Sequence, residues 1–455
     1  MHSINNYKIF NLLLVYEYVP TAFGKGLTFP IPKSYTSKYE DSSSNYRGIT
    51  VNPIFSKIFE HCLLSKFGKY LATSEFQFGF KSNSSCSHAH YALQSTMDYF
   101  IERGSTINIC SIDMSKAFDK LNCFILFKKL MARKCPFKFI TILHIMFSIS
   151  CSIIKWGDCL SKVVFPNTGV RQGSILSPIL FSVYVNDLLN CLRNSKLGCH
   201  LKYIPFNAFM YADDLLIMSI TVFDLQEMLS ICENEFLKID MCVNVSKSSC
   251  IRLGPRFNAC VSNVVMARQV LKWNDELKYL GMTILAGKMV RHDFHPVKAK
   301  FFGALNNILG KVGTSTSLSV LLHLMYTKCS PVLTYGLEAV KLNKKSRDNL
   351  HYVHNSIFSK LFMSFDKSTL EQCHYYTGYL TFDYAMDLKR LNFLRSLSES
   401  QHSPANYCFK WFGYEELNML KIKYNIQPNA SSSRWKFIIW DNFRRHVEDC
   451  YGIIQ

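Results

Sequence analysis

The sequence predicts an α+β fold in which strands pair as antiparallel hairpins and the C-terminal region is helical. Up to about residue 285, short apolar runs bounded by turn residues alternate with stretches whose apolar side chains recur at helical spacing. From about residue 290 onward the chain looks helical and basic. With 48% hydrophobic residues, a chain of 455 residues is long enough to bury a sizeable core.

The first hundred residues are predicted to contain two extended segments and two helices. The two prolines in residues 27–33 favour an extended edge strand that leads to Lys33. Residues 46–51 resemble a short strand, and the Asn-Pro pair after them begins a helix over residues 54–71. A second helix is predicted over residues 86–102. The apolar stripe of the first helix comprises Ile54, Ile58, Phe59, Cys62 and Leu63.

Asp113 directly follows an apolar strand over residues 107–112. A carboxylate at the end of such a strand is a recurrent catalytic position, although the same residue type also caps helices. A helical stretch over residues 122–148, broken at Pro136, then leads to a hairpin over residues 151–165. Asp113 is therefore either a ligand or a helix cap.

Gly169 and Gly173 bracket Arg171 and Gln172 in a loop ahead of an apolar helix over residues 179–192. Glycine lets the backbone pass close to a ligand, which favours a binding loop. Two glycines at this spacing also occur in plain turns, so the spacing alone leaves both interpretations open.

Asp213 and Asp214 occupy the turn of an apolar strand–turn–strand hairpin over residues 209–218. Neighbouring carboxylates can converge at such a turn, and their burial is unfavourable without a compensating cation. Oxygen ligands with no nearby His or Cys favour Mg²⁺ or Mn²⁺ over zinc. The alternative is a solvated Asp-Asp turn.

Beyond this hairpin, an amphipathic helix is predicted over residues 225–239. A polar turn containing Lys247 follows it, and residues 273–284 form another strand–turn unit. No internal repeat or long low-complexity tract is apparent.

Charge and cysteine content indicate which partners, metals and cellular compartment to expect. The chain has 52 basic and 33 acidic residues, a formal charge of +19, which favours nucleic acid as a partner over a merely basic surface. The 17 cysteines show no zinc-knuckle spacing, so we expect no zinc site and a reducing compartment. The apolar run over residues 9–19 is too short to span a bilayer. We therefore expect an intracellular protein, nuclear or cytoplasmic, without a signal peptide or membrane segment.

Taken in order, the motifs resemble those of reverse transcriptases, and their residues are most similar to those of the non-LTR (LINE-type) retrotransposon branch. The resemblance covers residues 27 to 345. Its motifs are Ile-Pro-Lys ending at Lys33, Asn-Tyr-Arg-x-Ile around Arg47, Asp-x-Ser-Lys-Ala-Phe-Asp from Asp113, Gly-Val-x-Gln-Gly-Ser-x-Leu-Ser-Pro from Gly169, Tyr-Ala-Asp-Asp from Tyr211 and Leu-x-Tyr-Leu-Gly from Leu277.

The resemblance implies a right-hand polymerase with fingers, palm and thumb, an antiparallel palm sheet and a helical C-terminal region. An N-terminal extension would occupy residues 1–26, the fingers and palm residues 27–285, and a thumb-like helical region residues 286–350. Residues 351–455 stay unassigned.

The resemblance also implies roles for the motif residues. Two Mg²⁺ (or Mn²⁺) ions would be bound by Asp113, Asp213 and Asp214. The nucleotide-binding residues would be Lys33, Arg47, Phe118, Gln172 and Gly173. Among them, Phe118 would be the steric gate that favours dNTPs over ribonucleotides. Lys247 would be a catalytic proton donor to pyrophosphate. The primer grip would consist of Tyr279, Leu280 and Gly281.

The implied activity is RNA-directed DNA polymerisation, in which a DNA primer is extended with dNTPs along an RNA template. Because the sequence contains no Pro-Asp pair and begins almost directly at the polymerase motifs, we expect a retrotransposon-derived reading frame that lacks its endonuclease. The alternatives are a catalytically decayed or repurposed nucleic-acid-binding protein and an intron maturase-like RNA-binding protein. The sequence does not specify an oligomeric state.

Overall fold

A computed structural model of the chain describes residues 2–33, 43–115, 117–166, 168–312, 316–400, 403–427 and 430–452. The chain divides into two compact units. The first comprises Met1–Phe80, Ile109–Cys250 and Val261–Lys272, and the second comprises Lys81–Asn108, Ile251–Cys260 and Trp273–Gln455.

Strands and helices alternate along the first two thirds of the chain, and helices make up most of the remainder. The strands are β1 (Lys25–Pro32), β2 (Tyr46–Val51), β3 (Ile107–Asp113), β4 (Cys151–Trp156), β5 (Cys159–Leu160), β6 (His200–Leu201), β7 (Ile204–Pro205), β8 (Ala208–Tyr211), β9 (Asp214–Ser219), β10 (Ser249–Leu253), β11 (Val264–Met266), β12 (Gln269–Trp273), β13 (Glu276–Tyr279), β14 (Met282–Leu285) and β15 (Arg291–Asp293). The helices are α1 (His2–Val15), α2 (Ile54–Phe67), α3 (Cys86–Glu102), α4 (Cys123–Ala132), α5 (Phe137–Ser148), α6 (Leu176–Asn194), α7 (Val222–Lys238), α8 (His295–Val312), α9 (Leu318–Lys328), α10 (Ser330–Leu333), α11 (Lys344–Phe362), α12 (Lys367–Thr377), α13 (Phe382–Glu399), α14 (Pro404–Cys408), α15 (Tyr414–Lys423) and α16 (Ser432–Tyr451).

A four-stranded sheet in the order β2-β1-β4-β5 lies in the first unit. β1 runs antiparallel to β2 and parallel to β4. The prediction that β1 is an edge strand is therefore wrong. Its prolines are tolerated because only Lys25 to Thr28 pair with β4, whereas Pro30 and Pro32 lie beyond that stretch.

The predicted Asp-Asp hairpin lies at the end of a six-stranded sheet in the order β11-β12-β10-β3-β9-β8. β8 and β9 pair antiparallel, with Tyr211 opposite Asp214, so Ala212 and Asp213 form a two-residue turn. Helix α6 packs against β8 and α7 packs against β9, which explains why both strands are continuously apolar. Thr221 caps α7, because its Oγ1 accepts the Asp224 N–H at 3.0 Å.

Helix α2 begins where predicted but buries a different face. Phe59 and Leu63 are fully buried, whereas Ile54 is 73% exposed and Ile58 is also exposed. The predicted single stripe of five apolar residues is therefore wrong. The buried face instead includes the polar residue Glu60, whose carboxylate accepts hydrogen bonds from the loop before α6 and from the first residue of that helix.

The second unit combines a small sheet, β13-β14-β15, with α3 and the C-terminal helices. Ten consecutive α3 residues from His88 to Met97 are buried, and α3 packs against α14 and the 3₁₀ segment Leu337–Ala339. The largest apolar side chains of its helical core are Phe301, Phe358 and Phe382. The predicted combination of antiparallel strands with a helical C-terminal region is confirmed. Across the ranges described, none of the helices has the length and apolar character needed to cross a bilayer.

Candidate active site

Three aspartates from two strands of the six-stranded sheet form the centre of the candidate site. Asp113 is the last residue of β3, and Asp213 and Asp214 lie at the β8–β9 turn. Asp113 and Asp213 are half-buried and Asp214 is exposed, so the hairpin acids are not buried together as the sequence suggested. Their charges nevertheless act on one another, because each hairpin acid interacts electrostatically with Asp113.

The electrostatic environment disfavours the ionised forms of Asp213 and Asp214. Partial removal from water raises the pKa of Asp213, with a further contribution from the charge on Asp113. Asp214 is exposed as a residue, but its carboxyl is partly removed from water. This desolvation, together with the charges of Asp213 and Asp113, raises the pKa of Asp214 to about 6. Arg47 opposes both shifts, which locates a positive charge near the acids.

The donor set fits a hard divalent cation that also keeps other ligands. Over the described part of the chain, no group of three His, Cys, Asp or Glu side chains is able to hold a metal ion by itself. Mg²⁺ usually retains several waters and binds through one or two carboxylates plus substrate phosphates. Asp113, Asp213 and Asp214 supply carboxylates of that kind, and the charge repulsion among them is what a cation relieves.

Asp113 is held by the loop that carries Lys247. The Asp113 N–H donates to Ser248 Oγ at 3.1 Å, and the Asn244 N–H donates to the Asp113 carbonyl at 2.8 Å. Lys247 is exposed on this loop, and its N–H donates to the Asn244 carbonyl at 3.2 Å. The structure therefore brings Lys247 and Asp113, 134 positions apart in the chain, into one local assembly.

The Ala212–Asp213 turn is braced by residues 77–79, whose contact with this hairpin the sequence did not predict. The Ala212 N–H donates to Gln77 Oε1 at 3.0 Å, and Gln77 Nε2 donates to the Ala212 carbonyl at 3.4 Å. Gly79 passes so close that a Cβ there would lie 2.6 Å from the Ala212 nitrogen. The signal was present as Gln-x-Gly-Phe at residues 77–80, but its partner lies 135 positions away.

The loop of Gln172 and Gly173 is attached to β2, the strand that carries Arg47. The Thr50 N–H donates to the Gln172 carbonyl at 2.8 Å. Gly173 has φ +131°, and a Cβ at this position would lie 2.0 Å from the Thr50 carbonyl oxygen. Glycine is thus required by both the backbone angle and the close approach. Gln172 Nε2 also donates to Asp119 Oδ1 at 3.4 Å.

Lys33 and Phe118 lie in the first unit, which also contains the three aspartates. The exposed Lys33 follows β1 directly, and its N–H donates to the Asn45 carbonyl at 2.9 Å, which keeps it beside β2. Phe118 is half-buried, stacks on Phe181 with a ring separation of 4.8 Å, and meets the edge of Phe80 at 6.3 Å. These contacts fix the ring in one place. Lys116, within the same motif, lies outside the described residues.

The buried Glu60 and the half-buried Arg171 are polar anchors of this loop, and nothing in the sequence indicated the role of Glu60. Glu60 Oε2 accepts from Ser174 Oγ at 2.6 Å, from the Ile175 N–H at 2.7 Å and from the Leu176 N–H at 3.0 Å, and so caps α6. Arg171 donates to Ser150 Oγ at 2.6 Å and to the carbonyls of Gly24 and Cys151. Both line a cavity of about 630 Å³ that Gln172 and Thr50 also border.

The predicted primer grip lies in the second unit, at the β13–β14 turn. Leu280 has φ +43° and Gly281 φ +83°, the two positive angles of a tight hairpin turn. The Tyr279 side chain is buried, whereas the Leu280 carbonyl accepts hydrogen bonds from His90 Nε2 at 3.2 Å and Tyr335 OH at 3.3 Å. The turn is thus held through the Leu280 carbonyl, and the Tyr279 ring is packed in the interior.

A protein-family model described as "Reverse transcriptase (RNA-dependent DNA polymerase)" matches residues 31–284. This stretch contains every predicted site residue, and it is more than half of the chain. The match also agrees with the predicted polymerase fold.

Curated relatives carry the same kind of description. The chain is 26% identical over 294 residues to the "Retrovirus-related Pol polyprotein" of a type-2 retrotransposable element of Drosophila melanogaster, covering 62% of this chain and 27% of the relative. It is 24% identical over 358 residues to the "RNA-directed DNA polymerase from mobile element jockey" of Drosophila funebris, covering 75% and 38%. The chain thus spans well under half of either relative. These matches confirm the resemblance to non-LTR retrotransposon polymerases.

Among solved structures, the apo telomerase of Candida tropicalis aligns with 97% of this chain and 74% of its own, at a TM-score of 0.46 and 15% sequence identity.

Proposed function

The chain belongs to the reverse transcriptase family, and from that premise we propose that it extends a primer 3′-hydroxyl with dNTPs along an RNA template in a two-metal reaction. The observation that carries the proposal is that Asp113 ends β3, while Asp213 and Asp214 lie at the turn into β9, the strand paired beside β3. Acids at a strand end and a hairpin turn, with a cation beside them, suit phosphoryl transfer, which requires charge neutralisation and alignment rather than a protein nucleophile.

In the proposed reaction, Asp113, Asp213 and Asp214 would hold two Mg²⁺ ions together with water and the substrate phosphates. When bound, the ions supply a lowered pKa for the primer 3′-hydroxyl and charge neutralisation for the triphosphate and its leaving pyrophosphate. The protein's own contribution is orientation. The Ser248 and Asn244 hydrogen bonds fix the backbone of Asp113, and the Gln77 hydrogen bonds fix the turn of Asp213.

The residues around the three aspartates bind the nucleotide, select its sugar and donate a proton. Arg47 and Lys33 project from neighbouring ends of β2 and β1 and bind the triphosphate through charge-assisted hydrogen bonds. Phe118 excludes the ribose 2′-hydroxyl because its ring is supported on two sides. Gln172 and Gly173 contact the incoming nucleotide, and Lys247 is the proton donor to pyrophosphate.

The Leu280–Gly281 turn positions the primer strand through its backbone, with Tyr279 packed behind it. The printed names of the relatives describe polymerases of retrotransposable elements, so an RNA template and a DNA product are the matching partners.

Primer extension on an RNA template with dNTPs and Mg²⁺ tests the proposal. The wild-type chain is expected to extend the primer, and Asp213→Asn is expected to lower the rate by at least about a hundredfold. Asp449→Asn is the matched control, because Asp449 is exposed on α16 and has no assigned role.

A wild-type chain that shifts RNA in a gel but does not extend the primer would contradict the polymerase proposal. That result would favour a nucleic-acid-binding role, the alternative consistent with the net charge of +19. A rate for Asp213→Asn equal to that of Asp449→Asn would instead remove Asp213 from the reaction.

A further inference from the structure

We propose that Gln77 is a positioning residue that sets the metal-binding geometry of the hairpin acids by holding the Ala212–Asp213 turn. The inference rests on the proposed polymerase function and extends it to a residue that does not touch substrate.

The side-chain amide of Gln77 binds both the turn and the neighbouring Gly79. Its Oε1 accepts the N–H groups of Ala212 and of Gly79, each at 3.0 Å, and its Nε2 donates to the Ala212 carbonyl at 3.4 Å. The residue is 1% exposed, so water does not offer replacement partners. Both backbone polar groups of Ala212 are therefore bound to one buried side chain.

The turn needs such support because Ala212 has φ +59°. A residue with a Cβ is disfavoured in this left-handed region, and a free hairpin relaxes toward other turn geometries. Asp213 directly follows Ala212, so any relaxation at Ala212 reorients the Asp213 carboxylate.

The backbone around Gln77 is itself anchored to the hairpin. The Phe78 N–H donates to the Met210 carbonyl at 2.8 Å, and the Met210 N–H donates to the Phe76 carbonyl at 3.0 Å. Gly79 completes the fit, since a Cβ there would lie 2.6 Å from the Ala212 nitrogen. Residues 76–79 thus form a fixed support against which the turn is set.

Mg²⁺ tolerates little deviation from octahedral geometry, so a displaced carboxylate lowers both ion affinity and the rate of the chemical step. The dNTP contacts assigned to Lys33, Arg47 and Gln172 do not involve Gln77. Loss of Gln77 should therefore lower kcat and weaken metal binding while it leaves KM for dNTP nearly unchanged.

The test compares Gln77→Met with Asn406→Leu. Both replace a buried amide by an apolar side chain, but Asn406 lies on α14, where its Nδ2 donates to the Leu397 carbonyl at 2.7 Å. For Gln77→Met we expect kcat to fall at least about tenfold, with KM for dNTP within about twofold of wild type. Asn406→Leu should destabilise the fold without lowering kcat at an unchanged KM for dNTP.

Rescue separates positioning from general destabilisation. Glycine adopts a positive φ without strain, so Ala212→Gly should recover at least about threefold in kcat when added to Gln77→Met, relative to its effect alone. Gly79→Ala displaces the same turn sterically without removing a polar group, so it should also lower kcat. It replaces Gln77→Met in the test if that variant does not fold. An unchanged kcat in Gly79→Ala, or no rescue by Ala212→Gly, would overturn the proposal.

Mn²⁺ binding, followed by the loss of the free-ion EPR signal, gives a readout without turnover. Gln77→Met should weaken Mn²⁺ binding at least about threefold relative to Asn406→Leu. If the wild-type chain does not extend primers but this difference is found, the polymerase proposal fails and the positioning role stands. Equal Mn²⁺ affinities in the two variants would overturn the positioning role.

Discussion

Glu60 offers a quantitative test of how the Gln172–Gly173 loop is held. Its Oε2 accepts hydrogen bonds from Ser174 Oγ, from the N–H of Ile175 just before α6 and from the N–H of Leu176, the first residue of α6. Glu60→Ala removes all three, whereas Glu60→Gln keeps an acceptor but removes the negative charge at a helix N-terminus.

The magnitude follows from the count of hydrogen bonds and from access to water. A hydrogen bond to a charged group contributes about 1.5–3 kcal/mol, so three give an upper limit of about 9 kcal/mol. Glu60 borders a cavity of about 630 Å³, so water can enter and re-solvate the released N–H groups. We therefore expect a local cost of about 3 kcal/mol for Glu60→Ala and about 1 kcal/mol for Glu60→Gln.

Hydrogen exchange is the suitable assay, because a chain of two units need not unfold in one transition. A cost of about 3 kcal/mol corresponds to a loss of protection of about a hundredfold at the first turn of α6. Glu227→Ala is the matched control, since Glu227 is exposed on α7. KM for dNTP should rise in Glu60→Ala, because the preceding loop carries Gln172.

Equal protection at the start of α6 in Glu60→Ala and Glu227→Ala would refute this reasoning. Loss of protection throughout the first unit, rather than at α6, would show that Glu60 supports the whole unit and not this loop.

Two further predictions concern acidity and sugar selection. The pKa of Asp214, about 6, predicts that primer extension at low Mg²⁺ falls as pH drops through about 6, and that higher Mg²⁺ moves this midpoint to lower pH. Because this folded-state pKa lies above the ordinary 3.8, the ionised Asp214 carboxyl opposes folding above pH 6, and this cost is lost as pH falls from about 6 to 3.8. Hydrogen-exchange protection of β9 in wild type should therefore rise toward that of Asp214→Asn over this range, and a difference between the two that does not change with pH would contradict the prediction. Phe118→Ala should raise ribonucleotide incorporation relative to dNTP at least about tenfold, and unchanged discrimination in single-nucleotide addition would remove the steric-gate role.

The residues that sequence reasoning located are those whose signal is local. Asp113 stands out because a charge ends an apolar strand, and Asp213 and Asp214 because two charges interrupt a hairpin. Periodicity likewise located α7, whose buried side chains recur at helical spacing.

The residues that it missed act through distant partners. Glu60 binds a backbone group 115 positions away, and Gln77 binds one 135 positions away. The Gln-x-Gly-Phe motif marks Gln77 in the sequence, but nothing local identifies the distant partner of either residue. The error at α2 has the same origin, since the tertiary partner of Glu60 decides which face is buried and overrides the apolar stripe that includes Ile54.

The assignment of α3 to the second unit has a consequence for how the chain folds during synthesis. The helix is buried from His88 to Met97, but its partner α14 begins only at Pro404. At ordinary translation rates, roughly 300 residues take about 15 to 60 seconds to emerge. Throughout that interval α3 lacks its final cover, so the nascent chain is expected to depend on chaperones, and a chain released before α14 would aggregate through α3.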